Sequence, residues 1–318
     1  MILIFRFSES RKTMNIKETI EEKIMKLKRQ RRAVILAHNY QADEVQEMAD
    51  FTGDSLELSQ RAAKIEADVI VFCGVHFMAE TASILCPEKI ILLPDKTSGC
   101  PMADMINADQ LRELKAKHPD ALVVCYVNST AEVKAESDYC CTSANAVAVV
   151  RSIPEDRQII FVPDKFLGQH VMSQTGRSMI LWPGYCPTHA RISEEDILRE
   201  KQSHPGALVM VHPECTNPVR AAADQVLSTG QMCRFVRNSP VEEFIVGTEL
   251  GIMYRLKKEN PGKRFYPAKE SAVCPNMKKI TLEKILWSLE DMEYEVRVSD
   301  QVRERAKLAL DRMMALSV

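Results

Sequence analysis

The residues best suited to chemistry come in threes. His38-x-Tyr40, Tyr126-x-Asn128 and His212-x-Glu214 each close an apolar run, and Cys100, Cys186 and Cys274 each precede a proline. Imidazole, phenol and carboxylate groups bind polar ligands and move protons, and thiolates bind metals. His38, Tyr126 and His212 are 88 and 86 residues apart, and so are Tyr40, Asn128 and Glu214. The three cysteines are 86 and 88 apart; the other Cys-Pro, at Cys86, falls outside their column. Two more columns run at 88 and 86: Asp50, Asp138 and Asp224, and the hydroxyls Ser55, Ser143 and Thr229.

Three thiolates without a fourth suit zinc completed by histidine or water, or a [4Fe–4S] cluster with one open iron. Spacing alone does not choose between them. A cluster is large enough to bridge distant segments, and its open iron is a Lewis acid. No CxxC pair occurs, so no local zinc knuckle is expected. Cys73, Cys125 and Cys233 lie in apolar runs and read as buried, inert thiols. Ser55, Ser143 and Thr229 read first as helix N-caps, and helix N-termini attract anions.

These residues need elements to hold them. Each copy begins with an apolar strand (ILAH, ALVVCY, GALVMVH) and continues through a helical segment to a second strand (ADVIVFCG, RQIIFVPD, EEFIVGTE). A third short strand ends at Pro94, Pro183 or Pro267. Strands alternating with helices argue for parallel α/β units, and the period is too long for a solenoid. The expected fold is α/β: three similar small domains with parallel sheets, whose mouths face one centre. Ligands collect beyond the carboxyl ends of such strands, where the polar pairs stand. The expected boundaries are a leader over 1–15 and domains at 16–118, 119–204 and 205–284. Residues 285–318 are expected to pack back on the first. Met14 precedes a helix expected over 16–31, so residues 1–13 read as dispensable. A last helix is expected over 302–316, packing on the amino-terminal one.

Composition narrows the classes. A net charge of −2 offers no basic surface for nucleic acid. No apolar run approaches the roughly 20 residues of a membrane helix. The first residues are too short an apolar stretch for a secretory signal, so the ten cysteines read as reduced thiols of a cytoplasmic protein. Only 11 glycines occur, with no Gly-rich phosphate loop.

The chain resembles the quinolinate synthase family over about residues 16–300. The resemblance rests on AHNYQ, GDSLELS, FMAETA, CPMADM, YVNSTAEVKAESD, CTSANA, PDKFLG, WPGYCPTHARI, HPEC, STG, GTELG and CPNMKKITLEKI. It implies three homologous αβα domains with parallel sheets, arranged with pseudo-threefold symmetry around a central active site, and one [4Fe–4S] cluster on Cys100, Cys186 and Cys274. It also implies condensation of iminoaspartate with dihydroxyacetone phosphate to quinolinate, with aspartate oxidase supplying the imine. His38, Ser55, Tyr126, Asn128, Ser143, His212, Glu214 and Thr229 then become substrate-binding residues. Glu214 is favoured as the acid/base, Tyr40 as a donor near the iron, and His38 and His212 as further catalytic groups. His189 reads equally as a donor beside the cluster or a loop residue. Met102 and Met105 read as packing, and His118 and His204 as solvated. Two rival classes are another [4Fe–4S] hydro-lyase on this scaffold and a non-enzymatic iron–sulfur or zinc sensor.

Overall fold

The computed structural model describes residues 18–316; the leader expected over 1–15 lies outside them. Twelve strands follow in order: β1 (Ala33–His38), β2 (Phe51–Gly53), β3 (Val69–Cys73), β4 (Ile90–Leu92), β5 (Leu122–Tyr126), β6 (Tyr139–Cys141), β7 (Ile159–Val162), β8 (Ile180–Leu181), β9 (Leu208–Val211), β10 (Gln225–Val226), β11 (Glu243–Gly247) and β12 (Arg264–Pro267). They form three four-stranded sheets ordered β2-β1-β3-β4, β6-β5-β7-β8 and β10-β9-β11-β12. Every neighbouring pair is parallel. The architecture is α/β with three parallel sheets between helices. The central strands are apolar and buried along nearly their whole length, as parallel strands covered on both faces must be.

The aspartate column sets strand register. The Asp50, Asp138 and Asp224 carboxylates accept the N–H of Ile35 (2.7 Å), Val123 (2.8 Å) and Val209 (2.8 Å). Their own N–H groups donate back to the carbonyls of the same three residues. Each pair of bonds delivers the chain into β2, β6 or β10. Those strands have two or three residues, too few to show a period-2 pattern, and the sequence left them unseen.

Helix starts differ from expectation. The first helix spans Ile20–Arg31, where Thr19 and Glu22 form a capping box. Ser55 and Thr229 are first helical residues, not caps. Asp54 caps Ser55–Lys64 and Ser228 caps Thr229–Asn238. One Asp54 oxygen takes both the Leu56 and Glu57 N–H groups, so the acid displaces the hydroxyl as cap. Ser143 sits in a turn closed by Thr142 and Asn145, ahead of the helix Ala146–Ser152.

The carboxyl-terminal helices separate. Leu282–Asp291 packs on the first helix and β3. Asp300–Ala315 packs chiefly on the helix Ala131–Ala135 and β6, and also on the helix His76–Leu85. It does not lie on the amino-terminal helix as expected. Its buried stripe, Ala306, Ala309, Leu310 and Met313, has helical spacing and meets an apolar surface of the second sheet's layer. No helix among the described residues is long and apolar enough to cross a membrane.

Candidate active site

β1 ends at His38, β5 at Tyr126, and β9 one residue before His212. All three ends open on one cavity. His38, Tyr40, Ser55, Cys100, Tyr126, Asn128, Ser143, Cys186, His212, Glu214, Thr229 and Cys274 line it together. The twelve residues singled out in the sequence therefore share one enclosure.

The two-residue spacing has a local cause. His38 Nδ1 accepts the Tyr40 N–H at 3.2 Å, and His212 Nδ1 accepts the Glu214 N–H at 3.3 Å. The backbone thereby assigns the tautomer, leaving the proton on Nε2. Burial lowers both imidazoles to about 3 against the opposing pull of Glu214, so both are neutral donors near pH 7.

Polar side chains from all three units then join in one chain. Tyr126 OH donates to Glu214 Oε1 (2.6 Å), and Glu214 Oε2 meets His189 Nδ1 (2.7 Å). His189 Nε2 meets Thr248 Oγ1 (2.8 Å), which meets Tyr40 OH (2.5 Å). With Nδ1 donating to the carboxylate, Nε2 accepts from Thr248 and Thr248 accepts from Tyr40. Burial would raise the Glu214 carboxyl, but His189, His212 and the Tyr126 hydroxyl outweigh it and hold it near 2. Burial and the Glu214 charge push Tyr40 and Tyr126 well up, so both phenols stay protonated.

The ten cysteines divide cleanly. Cys73, Cys86, Cys125, Cys140, Cys141, Cys215 and Cys233 are buried, and only Cys100, Cys186 and Cys274 are half-buried. Nearby backbone N–H groups work against burial at each of these three thiols: Met102 and Ala103 for Cys100, His189 for Cys186, Asn276 and Met277 for Cys274. Such donors favour a thiolate. Burial nonetheless pushes the Cys100 thiol to about 12 and raises the other two. Among the described residues, the group compact enough for a single ion is Cys186, His189 and Glu214, whose ligand atoms lie within 4.8 Å of one another.

A family model described as quinolinate synthetase A protein matches residues 22–315. A quinolinate synthase of Dehalococcoides mccartyi (strain CBDB1) is 59% identical over 298 residues, covering 94% of this chain and 98% of that protein. One from Geobacter metallireducens is 56% identical over 299 residues (94% and 98%). One from Methanosarcina barkeri is 54% identical over 297 residues (93% and 97%). The chain belongs to the quinolinate synthetase A family. It is therefore an enzyme, and its family's activity is quinolinate synthase.

In this family member, three cavity residues, His189, Glu249 and Asp54, escaped the repeat, as did Thr248 behind them. His189 is only 2% exposed and stacks on His212 at 4.6 Å; the loop alternative for it fails. Thr248 and Glu249 stand together in GTELG, one of the family-like stretches, and that was the signal available. Asp54 was passed over in GDSLELS. Its second oxygen accepts from Ser228 Oγ (3.2 Å) and Gly230 N (3.3 Å), so one carboxylate holds the helices that carry Ser55 and Thr229.

Proposed function

We propose that the chain forms quinolinate from iminoaspartate and dihydroxyacetone phosphate, with loss of phosphate and water, in de novo NAD biosynthesis. Cys100, Cys186 and Cys274 would hold a [4Fe–4S] cluster. The observation carrying this reading is the partition of the cysteines: the three that are not buried come from three separate loops and line the cavity that holds the polar set. Their donor set fits the cluster: three free thiols line one cavity, and nearby N–H groups favour the thiolate at each. When bound, the cluster supplies one iron without a protein ligand, a Lewis acid for hydroxyl loss.

The chain's own groups do the rest. Neutral His38 and His212 offer Nε2–H to substrate carboxylates, and Ser55, Ser143 and Thr229 offer hydroxyls to carboxylate and phosphate. Asn128 Oδ1 is buried without a partner among the described residues, so a bound hydroxyl or amine would satisfy it. Glu214 is charged and serves as the base. Tyr40, protonated and linked to Glu214 through Thr248 and His189, is the donor at the other end of the chain. Burial of these groups excludes water and strengthens each contact. We also read the chain as three domains, 16–118, 119–204 and 205–284, about a pseudo-threefold axis. The shared strand order supports that division. The reading places the enzyme in the cytoplasm, receiving its unstable imine from aspartate oxidase.

A second reading, a single zinc ion, draws on the compact Cys186–His189–Glu214 group. That compactness has a simpler cause in the 2.7 Å contact between His189 and Glu214. The test is an anaerobic assay with both substrates plus metal analysis. Quinolinate with about four iron and four sulfide per chain is expected. Zinc without sulfide would replace the cluster reading with the second one. An intact cluster without quinolinate would point to another hydro-lyase.

A further inference from the structure

We propose that Glu249 is a positioning residue for the cluster: its carboxylate takes the Cys274 N–H and, through Lys278, ties the Cys274 loop to the backbone of Tyr40. This rests on the reading of Cys274 as a ligand given above. Glu249 stands outside the Tyr126–Glu214–His189–Thr248–Tyr40 chain, yet it is fully buried. Oε1 accepts the Cys274 N–H at 3.0 Å and lies 3.0 Å from Lys278 Nζ. Oε2 accepts the Gly251 N–H at 2.7 Å. Lys278 Nζ also donates to the Tyr40 carbonyl. The loops are pressed close here: a Cβ on Gly251 would lie 2.6 Å from the Tyr40 carbonyl carbon. The carboxylate's bonds thus go to backbone amides and one ammonium, partners that set loop geometry and need no substrate.

The repeat supports this role. Glu249 follows Asp164 by 85 residues, and Asp164 follows Val75 by 89. Asp164 is also fully buried. It caps the helix Lys165–Thr175, and the adjoining Lys165 N–H donates to the Gly184 carbonyl at 2.9 Å, two residues before Cys186. Two of the three cysteine loops therefore run beside a buried acid from the mouth of their own sheet, the Cys274 loop bonded to its carboxylate and the Cys186 loop to the backbone next to it. The first loop does not. It is held by the His76 N–H on the Ser98 carbonyl (2.7 Å), and Ser98 Oγ donates to the Asn276 carbonyl (3.2 Å) in the Cys274 loop. Glu249 accordingly supports the Cys274 loop directly and the Cys100 loop at one remove.

The experiment compares full-length wild type, Glu249→Ala and Glu249→Gln, each loaded anaerobically. Iron release to a chelator should be about 10–100-fold faster in Glu249→Ala, the usual effect of losing a group that orients a metal ligand. Glu249→Gln should fall between, because its amide oxygen still accepts the Cys274 N–H. The electron paramagnetic resonance spectrum of the reduced cluster should shift in both, and Cys274 of the metal-free variants should alkylate faster. Unchanged release, spectrum and alkylation would overturn the proposal. If Glu249→Ala does not fold, Glu249→Gln and Lys278→Met decide by the same readouts. A wild type without iron and sulfide would instead refute the cluster reading, leaving the alkylation comparison to judge the loop contact alone.

Discussion

The interiors of the three sheets and their mouths repeat on the same period but under different constraints. Ile35, Val123 and Val209 fill one interior column and are interchangeable apolar residues, all fully buried. The mouth column Cys100, Cys186 and Cys274 keeps a single residue type. Cysteine occurs in both regions, so the contrast can be drawn within one side chain. Cys73 lies in β3, fully buried, and desolvation alone pushes its thiol up. Cys274 meets backbone N–H donors that oppose the same burial penalty. The Cys73 thiol fills volume, whereas nearby N–H groups at Cys274 favour its charged form.

The sharpest way to break this contrast is to exchange serine for cysteine in each region. Cys100→Ser, Cys186→Ser and Cys274→Ser should each abolish the broad visible absorbance of an iron–sulfur cluster, together with turnover. Cys73→Ser and Cys233→Ser should leave both in whatever protein folds. Retention of the chromophore in Cys186→Ser, or its loss in Cys233→Ser, would erase the distinction.

The next effect lies among the polar mouth residues. Glu214→Gln keeps shape but removes the proposed base, so turnover should fall about 10²–10⁴-fold with iron content unchanged. A fall in substrate affinity at near-normal turnover would make Glu214 a binding residue and pass the acid/base role to His38 or His212.

Smaller again is the cost of cutting the chain that reaches Tyr40. Tyr40→Phe and Thr248→Val should each cost about 10–100-fold in turnover, matching roughly 1.5–3 kcal/mol for a hydrogen bond in a charged network. The double variant should cost little more than either single one, because both break one connected path. Fully additive losses would show that Thr248 acts independently of Tyr40.

The smallest effect belongs to the interior. Asp138→Ala strands the buried Val123 N–H and should lower stability by about 1–3 kcal/mol, read by thermal melting, with cluster spectrum and turnover per folded molecule unchanged. Asp138→Asn keeps an acceptor and should cost less. An altered spectrum in either would mean that strand register is transmitted to the mouth.

The sequence by itself determined whatever recurs in three copies. Parallel α/β units follow from apolar runs at a fixed period. The cysteine loops follow from a residue type that packing has no reason to repeat. The polar pairs at strand ends follow from their position, since a parallel sheet delivers each carboxyl end to the same side. Tertiary structure alone decided what the copies do differently. Thr248 shares its column with Gly74 and Pro163, and His189 shares its column with Ala103 and Met277. Neither column repeats a side chain, so neither could be read as a set. The hydroxyls Ser55 and Thr229 aligned, yet Asp54 and Ser228 proved to be the caps, because the choice of cap depends on which nearby acceptor reaches the free N–H groups. His189, Thr248 and Tyr40 come from segments 59 and 208 residues apart. Folding brings them within hydrogen-bond distance because three sheet mouths close on one another, and polar groups buried there are stable only when hydrogen-bonded.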